Sequence, residues 1–173
     1  METLIIKKGF LGRKLKEPLI LNVRKPQCAA DLKIQHYVLE TFLSTQPALA
    51  QYTFCNSSTM KIAKYLLFNR TGSHASLQNY IYSIYRFCKW AHVQPDQLIK
   101  KSVDRNGVAK PEALVETRRL IDDFVACSRT ENMSSSTIIT RVKGVLALFR
   151  INGLILPPVR LAKYNCSCDR APS

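Results

Sequence analysis

SHASLQNYIYSIYRFCKWA, residues 73–91, is the most regular stretch of the chain. Apolar side chains recur in it at three- and four-residue spacing, which places them on one side of an α-helix. This stripe consists of Leu77, Tyr80, Ile81, Ile84, Phe87, Cys88 and Ala91. The opposite side is polar and basic and has no carboxylate. The pattern predicts a helix that packs on a core, with Ser73 or His74 capping its first turn.

A second helix is predicted from about Ser136 to Ile151. The run Ser134–Thr137 is a strong N-cap signal, and Asn152-Gly153 is a typical C-cap pair. Its expected buried stripe is Ile138, Val142, Val145, Leu146 and Phe149. The expected outer face is Thr137, Thr140, Arg141, Lys143, Gly144, Ala147 and Arg150. This face predicts DNA contact, because small polar residues near a helix N-terminus approach the backbone closely while arginine reaches base edges or phosphates.

The sequence as a whole predicts an all-α fold, in which a bundle of four to five helices follows an N-terminal arm. Further helices are expected at 30–45, 60–69 and 95–101, and over about 18 residues from Pro111. The pattern divides the chain into three regions. Residues 1–56 are expected to form an irregular basic arm with one helix, and a short hairpin in this arm is an open alternative. Residues 57–156 form the helical domain, and residues 157–173 form an extended basic linker.

Charge is the most informative part of the composition. The 173 residues hold 26 Lys and Arg against 12 Asp and Glu, a net charge of +14. Both ends are strongly basic, while residues 28–131 are nearly balanced, with thirteen basic and nine acidic residues. Hydrophobic residues make up 46% of the chain, so a folded protein with a polyanionic partner is expected.

Several other classes are disfavoured. No apolar run approaches the roughly 20 residues of a membrane span, so a cytoplasmic, nucleoid-associated protein without a membrane partner is expected. Cys166 and Cys168 are an alternative zinc pair, but a convincing second pair is missing. We therefore expect no metal and no cofactor. No phosphate-binding glycine loop, carboxylate pair or Ser/His/Asp order supports an enzyme with its own active site.

Three segments together resemble a known family. SLQNYIYSIYRFCKW (76–90) is similar to the first core helix of the N-terminal core-binding, SAM-like domain of tyrosine recombinases, the phage-type integrases and their relatives. IDDF (121–124) is similar to the helix before that domain's hairpin turn, and MSSSTI (133–138) to the Ser-x-x-Thr-Ile entry of its last core helix. The resemblance covers about residues 57–156.

This resemblance implies a SAM-like bundle that forms half of a clamp around double-stranded DNA. The catalytic residues of the family lie in a C-terminal domain that this chain does not reach, so the resemblance assigns no catalytic residue here. It implies binding in DNA recombination and integration without strand cleavage by this chain. The parent protein would be a DNA-breaking-rejoining recombinase. Other recombinase subunits on DNA are the implied protein partners, as a tetramer in the full-length context.

The candidate DNA-binding residues lie on three predicted helices. They are Lys61, Lys64, Arg70, Ser76, Asn79, Arg86, Lys89, Ser136, Thr137, Thr140, Arg141, Lys143 and Arg150. Stacking of Tyr80, Tyr82, Tyr85 and Trp90 on bases is an alternative, but core packing is the better interpretation. Two other functions stay open, a stand-alone DNA-binding accessory protein of a mobile element and an RNA-binding helical module.

Overall fold

The computed structural model describes residues 2–6, 19–23 and 25–158, and this part of the chain is mostly helical, as the sequence predicts. Its elements are β1 (Glu2–Ile6), β2 (Leu19–Val23), α1 (Ala29–Phe42), α2 (Pro47–Cys55), α3 (Ser57–Asn69), α4 (His74–Trp90), α5 (Pro95–Lys101), α6 (Pro111–Thr130) and α7 (Ser135–Ile151). None of the helices within these ranges has the length and apolar character to cross a membrane.

Helix α4 lies at the centre of the core. Leu77, Ile81, Ile84 and Phe87 are fully buried, and α4 packs against α1, α2, α3 and α7. The predicted stripe is confirmed at these positions. Tyr80 is an exception, because it lies at the edge of the stripe and is only half-buried.

Helices α4 and α7 make the most extensive helix–helix contact of the described chain. A Cβ atom added at Gly144 would lie 2.5 Å from the Cβ of Ser83, so only glycine fits there without a shift. Gly144 and Ala147, predicted to face outward, are therefore buried. Leu146, predicted to be buried, is half-exposed instead. The predicted α7 cap is confirmed, since the Oγ of Ser134 accepts a hydrogen bond from the N–H of Thr137 at 3.3 Å.

The described part of residues 1–56 contains a strand pair, in line with the short hairpin that the sequence allows, and two helices where the sequence predicts one. Strands β1 and β2 pair antiparallel, with Glu2 opposite Val23 and Ile6 opposite Leu19. Leu21 and Val23 are buried in the same core as the helices. Two helices follow, and α2 is not among the predicted helices because Pro47, just after the predicted helix at 30–45, is also typical of a residue that ends a helix. It occupies the first turn of α2, where a missing N–H costs nothing.

Helix α6 and the chain after α7 complete the described part. The predicted inner residues of α6, Leu114, Ile121, Phe124 and Val125, are buried. The guanidinium of Arg118 pairs with the carboxylate of Asp122 at 3.0 Å and donates to the Pro157 carbonyl oxygen at 3.0 Å. These contacts fix the direction in which the chain leaves the helices. Beyond residue 158 the predicted linker lies outside the described residues.

Candidate nucleic-acid interface

Three of the helices carry no acidic side chain. Helices α3, α4 and α7 together carry seven Lys or Arg residues and no Asp or Glu. No acidic residue occurs from Thr41 to Pro95 or from Asn132 to Cys168. Helix α6, by contrast, carries four carboxylates. A polyanion therefore meets no repulsive side chain on α3, α4 or α7 themselves.

These three helices meet at an open groove, which we call the Tyr80 groove. It lies between the end of α3, the start of α4 and the end of α7. Its lining residues are Tyr65, Leu66, Phe68, Asn69, Arg70, Thr71, Ser73, Ser76, Tyr80 and Arg150. A second hollow adjoins it along α7 and shares Tyr80 and Arg150, with Lys143 as a further cation. The fold thus brings together four predicted residues, Arg70, Ser76, Lys143 and Arg150.

The turn between α3 and α4 holds one side of the Tyr80 groove. Gly72 has a φ of +64°, in the left-handed region, and its N–H donates to the carbonyl oxygen of Leu66 at 3.1 Å. Ser73 then caps α4 by accepting from the N–H of Ser76 at 3.3 Å. The Tyr37 hydroxyl donates to the Ser73 carbonyl oxygen at 2.8 Å and ties this turn to α1. Arg70 and Ser76 are thus positioned by a turn with fixed ends.

No carboxylate lines the described walls of the Tyr80 groove. Arg70 also borders a neighbouring groove that contains Glu40. The Glu40 carboxylate lies 3.4 Å from the ring of His36 and does not line the Tyr80 groove. The Tyr80 groove is therefore positively charged through Arg70 and Arg150.

Helix α7 presents a single exposed stripe. Ser136, Thr140, Lys143 and Arg150 follow one another at three-, four- and seven-residue spacing and are all exposed. Thr137 is also exposed, in the first turn. The hydroxyl of Thr140 donates to the Ser136 carbonyl oxygen at 2.9 Å, so it is already engaged within the helix.

Arg141 departs from the predicted face. It is displaced by about 100° from Thr140 around the helix and is half-buried. Its guanidinium contacts the sulfur of Met133, and its Nε is buried without a hydrogen-bond partner. The structure therefore separates Arg141 from the stripe that leads to the Tyr80 groove.

The other predicted residues lie in different places. Lys61 and Lys64 line a groove between α1 and α3 with an apolar floor. Lys89 lies 6.0 Å from the ring centroid of Tyr85, beside α2. Asn79 is exposed and Arg86 half-buried on α4, and neither lines the Tyr80 groove.

One carboxylate near the acid-free helices has a structural role. Asp96 on α5 accepts hydrogen bonds from the N–H groups of Ser57 and Ser58, both at 2.8 Å, and from both hydroxyls. Burial alone would raise the pKa of Asp96, but these four hydrogen bonds outweigh it and lower the pKa. Asp96 thereby supplies the N-terminal cap that α3 lacks from its own N-cap residue.

No metal site is found among the described residues, since none of their His, Cys, Asp and Glu side chains form a group of three. Cys28 and Cys55 are exposed free thiols, and the Cys166–Cys168 pair lies outside the described part of the chain. The candidate residues predicted from the sequence do not include Tyr65 and Phe68, which line the Tyr80 groove. Their signal was the three-residue spacing that puts both on the lysine-bearing face of α3.

Comparisons with protein-family models, with curated proteins and with solved structures find no match for this chain.

Proposed function

We propose that this chain binds double-stranded DNA as the helical, non-cleaving part of a site-specific tyrosine recombinase. The observation that carries the proposal is the grouping of Arg70, Lys143 and Arg150 around Tyr80 without a lining carboxylate. Cations that converge from separate elements on an open surface suit the regular phosphates of a duplex. The SAM-like architecture, and the role as half of a clamp with other recombinase subunits, rest on the sequence resemblance.

In this proposal α7 lies along the DNA, and the Tyr80 groove contacts the sugar-phosphate backbone of the duplex. Lys143 and Arg150 neutralise phosphates, while the exposed hydroxyl side chains of Ser136 and Thr137 allow close approach at the first turn. Arg70 contacts the backbone from the opposite wall. Lys61, Lys64, Asn79, Arg86 and Lys89 extend the contact only where the DNA bends toward them.

Equilibrium binding to a duplex, the matching single strand and an RNA hairpin tests the proposal, with each measured at about 50 and 200 mM salt. Contact with about six phosphates gives a log–log salt slope near −5 for the duplex. Lys143→Gln and Arg150→Gln should each make that slope shallower by about 1. Lys100→Gln and Arg119→Gln change exposed cations outside the Tyr80 groove and are the matched controls.

An RNA-binding module would give a different result in the same assay. Equal or tighter binding to the RNA hairpin would favour an RNA-binding module, because A-form RNA is recognised by shape and by its 2′-hydroxyls. Slopes that respond equally to the control and the groove substitutions would remove the Tyr80 groove from the interface.

A further inference from the structure

The Tyr80 groove contains aromatic rings that phosphate binding does not require. Tyr65, Phe68 and Tyr80 line it together with Arg70 and Arg150. Phe68 is 46% exposed, although Ile62 and Leu66 on the same helix are buried. A groove that served phosphates alone would need only cations and small polar side chains.

An aromatic ring and a cation lie in contact in this groove. The guanidinium carbon of Arg70 lies 5.9 Å from the ring centroid of Tyr65, within the range of a cation–π contact. The groove has a volume of about 880 Å³, which lies within the ~300–1,000 Å³ of small-ligand pockets. It is therefore large enough for one nucleotide, and its lining holds both aromatic rings and two arginines.

We propose that the Tyr80 groove holds one unstacked nucleotide of the bound DNA, with its base against Phe68 and its phosphate at Arg70 or Arg150. Proteins that bind unpaired nucleotides combine such a cationic groove with aromatic rings, because every base has a π-face and a flanking phosphate. The amide of Asn69, also in the lining, adds a donor and an acceptor for a base edge. This site rests on the proposed function, because it adds an unpaired nucleotide to the DNA held by the interface.

The test compares two short duplexes of identical sequence, one with a single unpaired 2-aminopurine and one with that base paired. The full chain should bind the unpaired probe about 5- to 100-fold more tightly, the range expected for stacking of one base. Binding should also quench the fluorescence of the unpaired 2-aminopurine as it stacks on a ring. Phe68→Ala should abolish both the preference and the quenching, and it should lower the affinity for the unpaired probe more than the affinity for the paired duplex. Tyr82→Ala, an exposed aromatic residue of α4 outside the groove, is the matched control and should keep both.

Two results would overturn the stacking site while leaving duplex binding in place. One is equal affinity of the unchanged chain for both probes. The other is a preference that Phe68→Ala leaves intact. Loss of binding to both probes would overturn the stacking site and the proposed function together, so the two kinds of failure are distinguished.

Discussion

Replacing Gly144 by alanine tests the packing of α7 on α4, because helix propensity and packing predict opposite changes in the free energy of unfolding. Alanine is the better helix former by about 1 kcal/mol, so helix propensity alone predicts that Gly144→Ala stabilises the protein. The structure predicts the opposite. The new Cβ would lie 2.5 Å from the Cβ of Ser83 and 3.3 Å from the carbonyl oxygen of Tyr80, so α4 and α7 must move apart.

The magnitude follows from two opposing effects. Overpacking of a well-packed interface costs about 1–3 kcal/mol, and the propensity gain offsets about 1 kcal/mol of it. We therefore expect Gly144→Ala to lower the free energy of unfolding by up to about 2 kcal/mol. Because the same displacement moves Arg150 relative to Ser76, duplex affinity should fall as well, even though no charge is removed.

Urea unfolding followed by circular dichroism measures the effect, and a double-mutant cycle with Ser83→Gly isolates it. Ser83→Gly removes the side chain that the new methyl group meets, so the pair should recover at least 1 kcal/mol relative to the sum of the single changes. A stabilised Gly144→Ala variant with no coupling to Ser83 would refute the close packing of α4 on α7, and with it the shape of the Tyr80 groove.

Three further predictions concern residues around this framework. Asp96→Asn should destabilise the protein by about 1 kcal/mol, because α3 loses a charged cap. The folded-state pKa of Asp96 is lowered, so its stabilising effect is present above the unfolded-state pKa near 4 and is lost as pH falls through the folded value. Urea unfolding of the unchanged chain and of Asp96→Asn should therefore show a smaller difference in the free energy of unfolding at pH 3 than at pH 7. Burial raises the pKa of the Cys88 thiol to about 12. A thiol reagent at pH 8 should therefore label the exposed Cys28 and Cys55 rapidly and Cys88 only after denaturation. Fast labelling of Cys88 in the native protein, detected by peptide mass mapping, would contradict its burial. Gly72→Ala should cost about 1 kcal/mol, since the φ of +64° disfavours a side chain, and an unchanged urea midpoint would show that the α3–α4 turn differs from the one described.

Much of the helical framework was predictable because its signals are local. The caps of α4 and α7 involve residues three positions apart, Ser73 with Ser76 and Ser134 with Thr137, so the sequence reports them directly. The sequence allows a short hairpin in the N-terminal arm but does not give its register, because the pairing of β1 with β2 joins residues of two separated strands.

The interface was predictable in composition but not in position. Periodicity locates the outer side of a helix, but neighbouring helices decide which flank of that side opens into a groove. Arg141 and Lys143 are two residues apart on α7, yet one packs against Met133 and the other lies beside Tyr80. Periodicity places Gly144 opposite the apolar stripe and so predicts an outward position, and only the location of Ser83 shows that it lies against α4.

The distribution of carboxylates explains why one side of the molecule suits a polyanion better than the others. Most described Asp and Glu residues lie on α1, α5 and α6, and several have cationic or N–H partners there, as Asp122 has Arg118 and Asp96 has the α3 N-terminus. Cations on the same elements are thus partly neutralised before any ligand arrives. The exposed cations of α3, α4 and α7 meet no carboxylate of their own helices, and Arg70, Lys143 and Arg150 lie in the Tyr80 groove or in the hollow beside it. If the chain binds DNA as proposed, neutralising these three charges should change the association rate and the salt dependence together.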